Sequence, residues 1–178
     1  MTVIPLPKET YTDFELHYAF TTGAHYVPLV TDTPERMAYT LSREDYPTPR
    51  SITNTDILYE DTFPNAEAFA AVDDAGEPLG YLELAFEEWN NRERVTQLLV
   101  NENARRQGVG KALIDFAKSV ARERDYRVIV LETQNYNTPA IDFYRSQGFR
   151  FCGGNVFFYS NIDVEDDEVM LEMAYLVE

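Results

Sequence analysis

The chain has 178 residues, 44% of them hydrophobic and 26% charged, which suits one globular domain with a full core. Its formal net charge is −16 and its sequence pI is about 4.4, so nucleic acids and anionic membranes are disfavoured as partners and cationic molecules are favoured. No segment approaches the roughly 20 apolar residues that span a bilayer, and the N-terminus lacks a signal-peptide pattern, so we expect a cytoplasmic protein.

The first half of the chain contains one clear structural pattern, a β-hairpin. Short apolar runs at 68–72 and 79–86 flank a turn sequence at 73–77, and this arrangement predicts two antiparallel strands. Before it, we predict a short strand at 37–42 and then a long loop as far as Pro64, because that stretch is rich in proline and has little periodicity.

The second half alternates strands and helices. The predicted elements are a strand at 95–100, a helix at 108–124, a strand at 128–133, a short helix at 139–146, and strands at 149–159 and 169–177. The longer helix is supported by apolar residues at helical spacing from Leu113 to Ala121. This order predicts a single α/β domain over residues 1–178, with a mixed central sheet flanked by helices. The piece from Val95 to Thr133 is expected to be a right-handed parallel crossover.

A glycine-rich turn between the strand at 95–100 and the longer helix is the main candidate site. Its exposed N–H groups and the positive end of the helix would together suit an anion such as a pyrophosphate. Nine of the fifteen Lys and Arg residues lie within 92–127, against five acids, which makes this a positive region in an acidic chain. Ordinary turn chemistry explains a G-x-G pair equally well, and the third glycine of the dinucleotide-binding pattern is missing.

The cysteine and histidines indicate structural rather than chemical roles. Cys152 is the single cysteine, so no intramolecular disulfide is possible, and its aromatic surroundings predict a small buried side chain. The spacing of His17 and His25 suits no metal site, and both are expected to be structural or surface residues. Tyr144, on the short helix, could be a proton donor or simply a core aromatic.

Two motifs together resemble the GNAT N-acetyltransferase superfamily. They are R-x-x-G-x-G-K-A-L, from Arg105, and L-E-T-Q-N-Y-N-T-P-A-I-D-F-Y-R-S-Q-G-F, which ends at Phe149. The resemblance implies a β-α-β core that binds acetyl-CoA: the turn would hold the pyrophosphate, the preceding strand would pair with the pantetheine arm, an asparagine would contact the cofactor and a tyrosine would protonate the thiolate. The corresponding residues here are Leu98, Leu99, Val100, Arg105, Arg106, Gln107, Gly108, Val109, Gly110, Lys111, Asn137, Ala140 and Tyr144.

A narrower resemblance is to the streptothricin (nourseothricin) acetyltransferases. It is carried by Phe20-Thr21-Thr22, Gly80 to Glu83, Trp89-Asn90, Leu131-Glu132 and Phe151-Cys152-Gly153. It implies acetyl transfer to an amine of the β-lysine part of these antibiotics, and homodimers are frequent among similar proteins. We expect direct transfer, because no activated Cys or Ser nucleophile is evident. Such enzymes often carry an acid in the strand at 95–100, where this chain has Thr96 and Gln97. Another amine acceptor (a polyamine, an aminoglycoside or a protein amine) and a non-catalytic acetyl-CoA-binding module are the alternatives.

Carboxylates are the candidates for removing a proton from the acceptor amine and for binding a cation. We predict Glu83 first and Glu132 second as the general base, although each could equally be a structural carboxylate paired with an arginine. Glu87, Glu88 and Trp89 could bind or cover a cationic substrate, or they could be exposed turn residues. The acidic run at 163–168 is either solvated or steers a polycation towards the site.

Overall fold

The computed structural model describes all of residues 1–178, and the chain forms two compact units. The first unit comprises residues 1–18, 54–131 and 174–178, and the second comprises residues 19–53 and 132–173. The single domain over the whole chain therefore stays a prediction.

Nine strands and three α-helices make up the structure. In chain order they are β1 (Thr2–Leu6), α1 (Lys8–Tyr11), β2 (Glu15–Thr33), β3 (Arg36–Ile57), β4 (Glu67–Val72), β5 (Pro78–Glu87), β6 (Arg92–Val100), α2 (Val109–Glu123), β7 (Val128–Gln134), α3 (Thr138–Ser146), β8 (Arg150–Asn155) and β9 (Met170–Leu176). Short 3₁₀ turns lie at Glu88–Asn90 and Glu102–Ala104. None of the helices has both the length and the apolar character needed to cross a membrane.

The strands of the first unit pair in the order β1-β4-β5-β6-β7. β4 and β5 are antiparallel around a turn in which the Asp73 carboxylate accepts hydrogen bonds from the N–H groups of Ala75 and Glu77, so the predicted hairpin is confirmed. β6 and β7 are parallel and α2 lies between them in the chain, which confirms the predicted mixed sheet and parallel crossover. The handedness of the crossover stays a prediction.

Helix α2 forms because one of its faces is almost wholly apolar. Leu113, Ile114, Ala117 and Ala121 recur at helical spacing and are fully buried. Burial of a leucine or isoleucine side chain contributes roughly 1.5–3 kcal/mol, so this face anchors the helix that follows the glycine-rich turn. Phe116 adds a tilted ring contact to Phe69 of β4, with centroids 4.7 Å apart.

The strand predicted at 37–42 is confirmed, but the loop predicted after it is wrong as far as Ile57. Instead of a short strand and a loop, β3 runs from Arg36 to Ile57 and pairs with β2 as a two-stranded sheet. Most of its side chains are exposed, so the strand lacks the alternation of apolar and polar residues by which a half-buried strand is recognised. Pro47 and Pro49 are tolerated because a strand in a two-stranded sheet has an edge that donates no ladder hydrogen bond.

Two expectations near the C-terminus are also corrected. β8 ends at Asn155 rather than Tyr159, because the buried Asp163 carboxylate accepts hydrogen bonds from the N–H groups of Phe158, Tyr159 and Ser160 and turns the chain. Cys152 is exposed rather than buried, since β8 is the outermost strand of its sheet.

Glu93 of β6 is a buried acid, and nothing in the sequence indicated that its pKa would be shifted. It is 1% exposed, and its Oε2 atom has no hydrogen-bond partner. Burial raises its pKa to about 8, with Glu67 adding to the rise and Arg124 opposing it. The folded protein therefore holds the Glu93 proton more tightly than the unfolded chain does.

This pKa predicts the direction in which stability changes with pH. Between the normal pKa of about 4.5 and the raised pKa of about 8, Glu93 binds more protons in the native state than in the unfolded chain. The contribution of Glu93 to the free energy of unfolding therefore falls as pH rises through this window and is constant above it. Each pKa unit corresponds to about 1.4 kcal/mol. From urea denaturation we expect the free energy of unfolding of Glu93→Gln to rise by a few kcal/mol relative to wild type between pH 5 and pH 8.5. Glu123→Gln, at an exposed site, should follow the wild-type curve; parallel curves for all three proteins would contradict the assignment.

Candidate active site

The glycine-rich turn lies directly before α2 and presents unpaired amides. Gly108 adopts a left-handed conformation with φ 86° and ψ 0°, and Arg106 does so with φ 65°. No side chain caps the helix, and no N–H group from Arg106 to Lys111 donates to a protein acceptor. A turn that only connected two elements would be expected to satisfy more of these groups internally, so the geometry favours an anion site at the helix start.

Basic side chains flank these amides. Arg106 and Lys111 are exposed, and Lys111 also pairs with Asp115 one turn along α2 at 2.5 Å. Arg105 is half-buried and its Nε donates to the Val100 carbonyl at 3.3 Å, which ties the turn to the end of β6. The predicted residues Arg105 to Lys111 are thus brought together at one helix end.

β6 leaves part of one edge unpaired. β5 pairs with it as far as Val100, whereas pairing with β7 covers only Arg92 to Val95. Leu98, Leu99 and Val100, which the sequence assigned to cofactor binding, therefore have an edge with no strand partner. Such an edge suits an extended amide-containing ligand, which can add to a sheet as a strand does.

Gly80 of β5 lets this part of the first unit pack closely. A Cβ at position 80 would lie 2.6 Å from the Leu99 carbonyl oxygen and 3.2 Å from Cγ1 of Val109. Any side chain here would push β5 away from β6 and from the first residue of α2. The glycine therefore helps to fix the turn relative to the free edge.

Glu83 lies opposite a β-bulge in β6. Glu83 pairs with Gln97 and Leu84 pairs with Val95, so Thr96 is the extra residue. The Thr96 hydroxyl donates to Glu83 Oε1 at 2.7 Å, and the Tyr59 N–H donates to Oε2 at 2.6 Å. Glu83 is 1% exposed, and burial raises its pKa although these two hydrogen bonds oppose the rise. Both oxygens are thus already occupied.

The predicted substrate residues at 87–89 are divided between two environments. Glu87 is held by Arg92 and by Arg94, whose Nε lies 2.6 Å from Oε1. Burial acts to raise the pKa of Glu87, but the two arginines outweigh it and the pKa is lowered. Glu88 is exposed, and Trp89 is 84% exposed on the 3₁₀ turn, so of the three only these two are open to a ligand.

In the second unit, α3 carries the predicted asparagine and tyrosine. Oδ1 of Asn137 accepts from the Ala140 N–H at 3.3 Å and caps the helix, so both predicted cofactor residues lie at its start. Tyr144 is 8% exposed and packs against the ring of Phe149 at 5.9 Å, while its hydroxyl makes no protein hydrogen bond. Burial raises its pKa, so the phenol stays protonated at neutral pH, as a general acid must.

Glu132 follows the buried part of β7 and is half-buried. Its Oε1 accepts from the Tyr159 hydroxyl at 2.7 Å, and nearby the Tyr136 hydroxyl donates to Glu168 at 2.9 Å. The pKa of Tyr159 is raised first by burial and then by Glu132, so that phenol remains a donor. Glu132 is thus a carboxylate with a fixed partner and some access to solvent.

The acidic run at 163–168 is not simply solvated, which sequence reasoning missed. Asp167 is a hub that accepts hydrogen bonds from His25, Tyr46, Arg50 and Asn135. Asn135 is fully buried, and its side chain is hydrogen-bonded within the protein. No local sequence pattern predicts these contacts, because most of the partners are far apart in the chain.

These features match a known class of protein. The chain belongs to the acetyltransferase (GNAT) family, whose family model matches residues 36–149. The chain is 32% identical over 106 residues to a streptothricin acetyltransferase of Streptomyces lavendulae (60% of this chain, 56% of that protein) and 30% identical over 96 residues to the peptidyl-lysine N-acetyltransferase YjaB of Salmonella typhimurium (54% and 59%). The matched segments span little more than half of these relatives.

A solved structure supports the narrower resemblance as well. The structure of a nourseothricin acetyltransferase aligns with a TM-score of 0.76 and 29% identity over 99% of this chain and 98% of that chain. The expected GNAT fold and the resemblance to streptothricin acetyltransferases are both confirmed.

A comparison of two glycines, Gly108 and Gly76, tests whether the glycine-rich turn binds the cofactor. Gly108 and Gly76 both have positive φ, and a Cβ at either position would meet nothing within 4 Å. We expect Gly108→Ala and Gly76→Ala to destabilise the protein similarly, by about 1–2 kcal/mol for a left-handed residue with a side chain. Only Gly108→Ala should also weaken coenzyme A binding in calorimetry, by roughly tenfold, which corresponds to 1.4 kcal/mol. Equal coenzyme A affinity in the two variants would show that the turn does not bind the cofactor.

Proposed function

We propose that the chain is an acetyl-CoA-dependent N-acetyltransferase that acetylates a primary amine of a cationic small molecule of the streptothricin type. The observation that carries the proposal is the series of unpaired amides from Arg106 to Lys111 at the start of α2. Amides at a helix N-terminus, with basic side chains beside them, bind diphosphate groups. In a protein of net charge −16, such a site indicates a dedicated anionic cofactor.

The remaining cofactor contacts follow from the free edge of β6. In this proposal the pantetheine amides pair with Leu98, Leu99 and Val100, whose β7-facing edge has no strand partner. An N–H group of the same segment would then donate to the thioester oxygen as negative charge develops on it. Asn137 and Ala140, at the start of α3, would contact the cofactor in the second unit.

The proposed reaction is direct transfer without an acyl-enzyme. The acceptor reaches the protein as an ammonium ion, since an alkyl amine has a pKa of roughly 10.4, and it must lose one proton before attack. The nitrogen lone pair then forms a bond to the thioester carbon, and the C–S bond breaks. Tyr144, protonated and free of other hydrogen bonds, gives its proton to the departing sulfur, and the second proton that the nitrogen loses after attack returns through solvent to the phenolate.

A cationic acceptor fits both the charge and the relatives. Residues 128–178 hold nine acids against two basic residues, and Glu132, Trp89 and Glu88 keep some exposure for an ammonium group. The matched proteins from Streptomyces lavendulae and in the solved structure are named for streptothricin and nourseothricin. We therefore place a streptothricin-type amine first among acceptors.

A protein lysine is the second candidate acceptor. The similarity to a peptidyl-lysine N-acetyltransferase favours it, and the chemistry at the thioester would be the same. The two candidates differ only in what surrounds the amine.

Free-thiol release from acetyl-CoA across a panel of amines tests the function. We expect turnover with streptothricin, and little with polyamines, aminoglycosides or lysine peptides. Turnover with lysine peptides alone would favour the second candidate. Acetyl-CoA binding without turnover for any amine would refute the enzyme and leave a binding module.

The Tyr144→Phe variant tests whether Tyr144 is the general acid that protonates the departing sulfur. Because the phenol would act only on the leaving thiolate, we expect kcat to fall by about 100-fold, within the range for general acid catalysis, with acetyl-CoA affinity nearly unchanged. The control is Tyr81→Phe, which alters an equally buried tyrosine of the first unit and should leave kcat unchanged. Wild-type turnover in the Tyr144→Phe protein would remove Tyr144 from the mechanism.

A further inference from the structure

The Asp167 carboxylate organises a histidine in the second unit. His25 of β2 places its Nδ1 2.5 Å from Oδ1 of Asp167, and its ring stacks on Tyr46 of β3 with centroids 4.3 Å apart. Oδ2 of Asp167 accepts from the Tyr46 hydroxyl and from Arg50 at 3.0 Å. Burial and then Asp167 raise the pKa of Tyr46, so its phenol remains a donor to the carboxylate. These contacts fix both the position and the plane of the imidazole.

This arrangement leaves one nitrogen of His25 available. Asp167 as an acceptor requires a proton on Nδ1, so in the neutral ring Nε2 carries the lone pair. No protein group bonds to Nε2, and the side chain is 18% exposed. A histidine that is oriented by a carboxylate through one nitrogen and open at the other is poised to accept a proton.

Hydrogen bonds within the second unit place β2, the strand that carries His25, beside the start of α3; the His25 side chain lies on the opposite face of this strand from Thr22 and Tyr26. Three residues before His25, the Thr22 hydroxyl lies 2.9 Å from that of Thr138, the first residue of α3. One residue after it, the Tyr26 N–H donates to the Asn135 carbonyl at 3.0 Å. Tyr144 lies six residues beyond Thr138, which is about 9 Å along a helix. The open nitrogen and the proposed acid are thus carried by neighbouring elements.

We propose that His25 Nε2 is the general base that takes the proton from the acceptor ammonium, with Asp167 as its positioning residue. The inference rests on the proposed function. One N–H bond of the ammonium breaks and its proton goes to Nε2, while the electron pair stays on the amine nitrogen and attacks the thioester carbon. The Asp167 carboxylate compensates the charge of the imidazolium. Tyr144 gives its proton to sulfur, and the second proton that the nitrogen loses after attack returns through solvent to the Tyr144 phenolate.

The two carboxylates favoured by the sequence are less well arranged for this step. Glu83 has both oxygens hydrogen-bonded and is 1% exposed, so an amine would have to displace Thr96 to reach it. Glu132 has one oxygen already hydrogen-bonded to the Tyr159 hydroxyl. His25 differs from both because a carboxylate orients one of its nitrogens and the other nitrogen is free to accept a proton.

The decisive variant is His25→Asn, because the asparagine amide can still donate to Asp167 in place of Nδ1 while Nε2 is lost. We expect kcat/KM for the amine to fall by about 100-fold with unchanged acetyl-CoA affinity. The acid limb of the wild-type pH–kcat/KM profile should disappear from the residual activity. His17→Asn, which alters an exposed histidine on the same strand, should match wild type in all three measurements.

Two more variants separate a base from a structural residue. Turnover of His25→Ala should be restored by added imidazole, and more strongly by more basic imidazoles. Asp167→Asn keeps an acceptor for Nδ1 but removes the negative charge that compensates the imidazolium, so kcat/KM for the amine should fall with unchanged acetyl-CoA affinity. The charged or titratable groups around His25 are Asp167, Tyr46 and Arg50, with Tyr136 and Glu168 beside them, and of these only Asp167 is altered.

Three results would overturn the assignment of the base. The first is wild-type activity in His25→Asn. The second is a pH–kcat/KM profile of that variant that keeps its acid limb. The third is a rescue of His25→Ala whose size does not depend on the basicity of the added imidazole. Failure of the proposed function looks different, because the wild-type protein itself would then transfer acetyl to no amine.

Discussion

The loss of pairing on one side of β6 after Val95 is the constraint on which the rest of the structure depends. A strand edge with unsatisfied amides is a liability unless something binds to it. The open edge that ends at Val100 is followed, after the 3₁₀ turn at Glu102–Ala104, by a turn whose amides from Arg106 to Lys111 are also unsatisfied, so two nearby lengths of backbone offer donors and acceptors to a ligand. The Thr96 bulge and Gly80 hold this backbone in place from the β5 side.

The half-buried and buried carboxylates of this chain are stabilised in different ways. Glu87 and Asp167 are satisfied by arginines and other donors and act as fixed anchors. Glu93 lacks a partner for one oxygen and holds a proton instead, at a cost in stability above its normal pKa. Negative charge in this acidic chain is therefore not uniform: some of it is neutralised inside the protein, and the exposed remainder is available to attract a cation.

The sequence predicted the parts of the structure that rest on local patterns. The apolar face of α2, the 73–77 turn and the run from Arg105 to Lys111 each contain their own signal, and each is where it was expected. β3 was missed because a solvated two-stranded ribbon has no buried face to impose an alternation.

The site could be predicted only as far as its residues are contiguous in the chain. The turn and the asparagine cap of α3 are short motifs, whereas His25 meets Asp167 across 142 positions and Glu83 meets Tyr59 across 24. Composition and spacing do not predict such long-range contacts. The acidic run at 163–168 therefore did not indicate that the Asp163 carboxylate would accept hydrogen bonds from its own loop, or that Asp167 would orient a histidine.

The exposure of Cys152 has a practical consequence for the biochemist. One accessible thiol on an outer strand, in a chain with no other cysteine, gives a single position for attaching a fluorophore without altering the sequence. The same thiol can join two molecules through an intermolecular disulfide under oxidising conditions. A dimer band on a gel is therefore meaningful for this protein only in the lane that contains reductant.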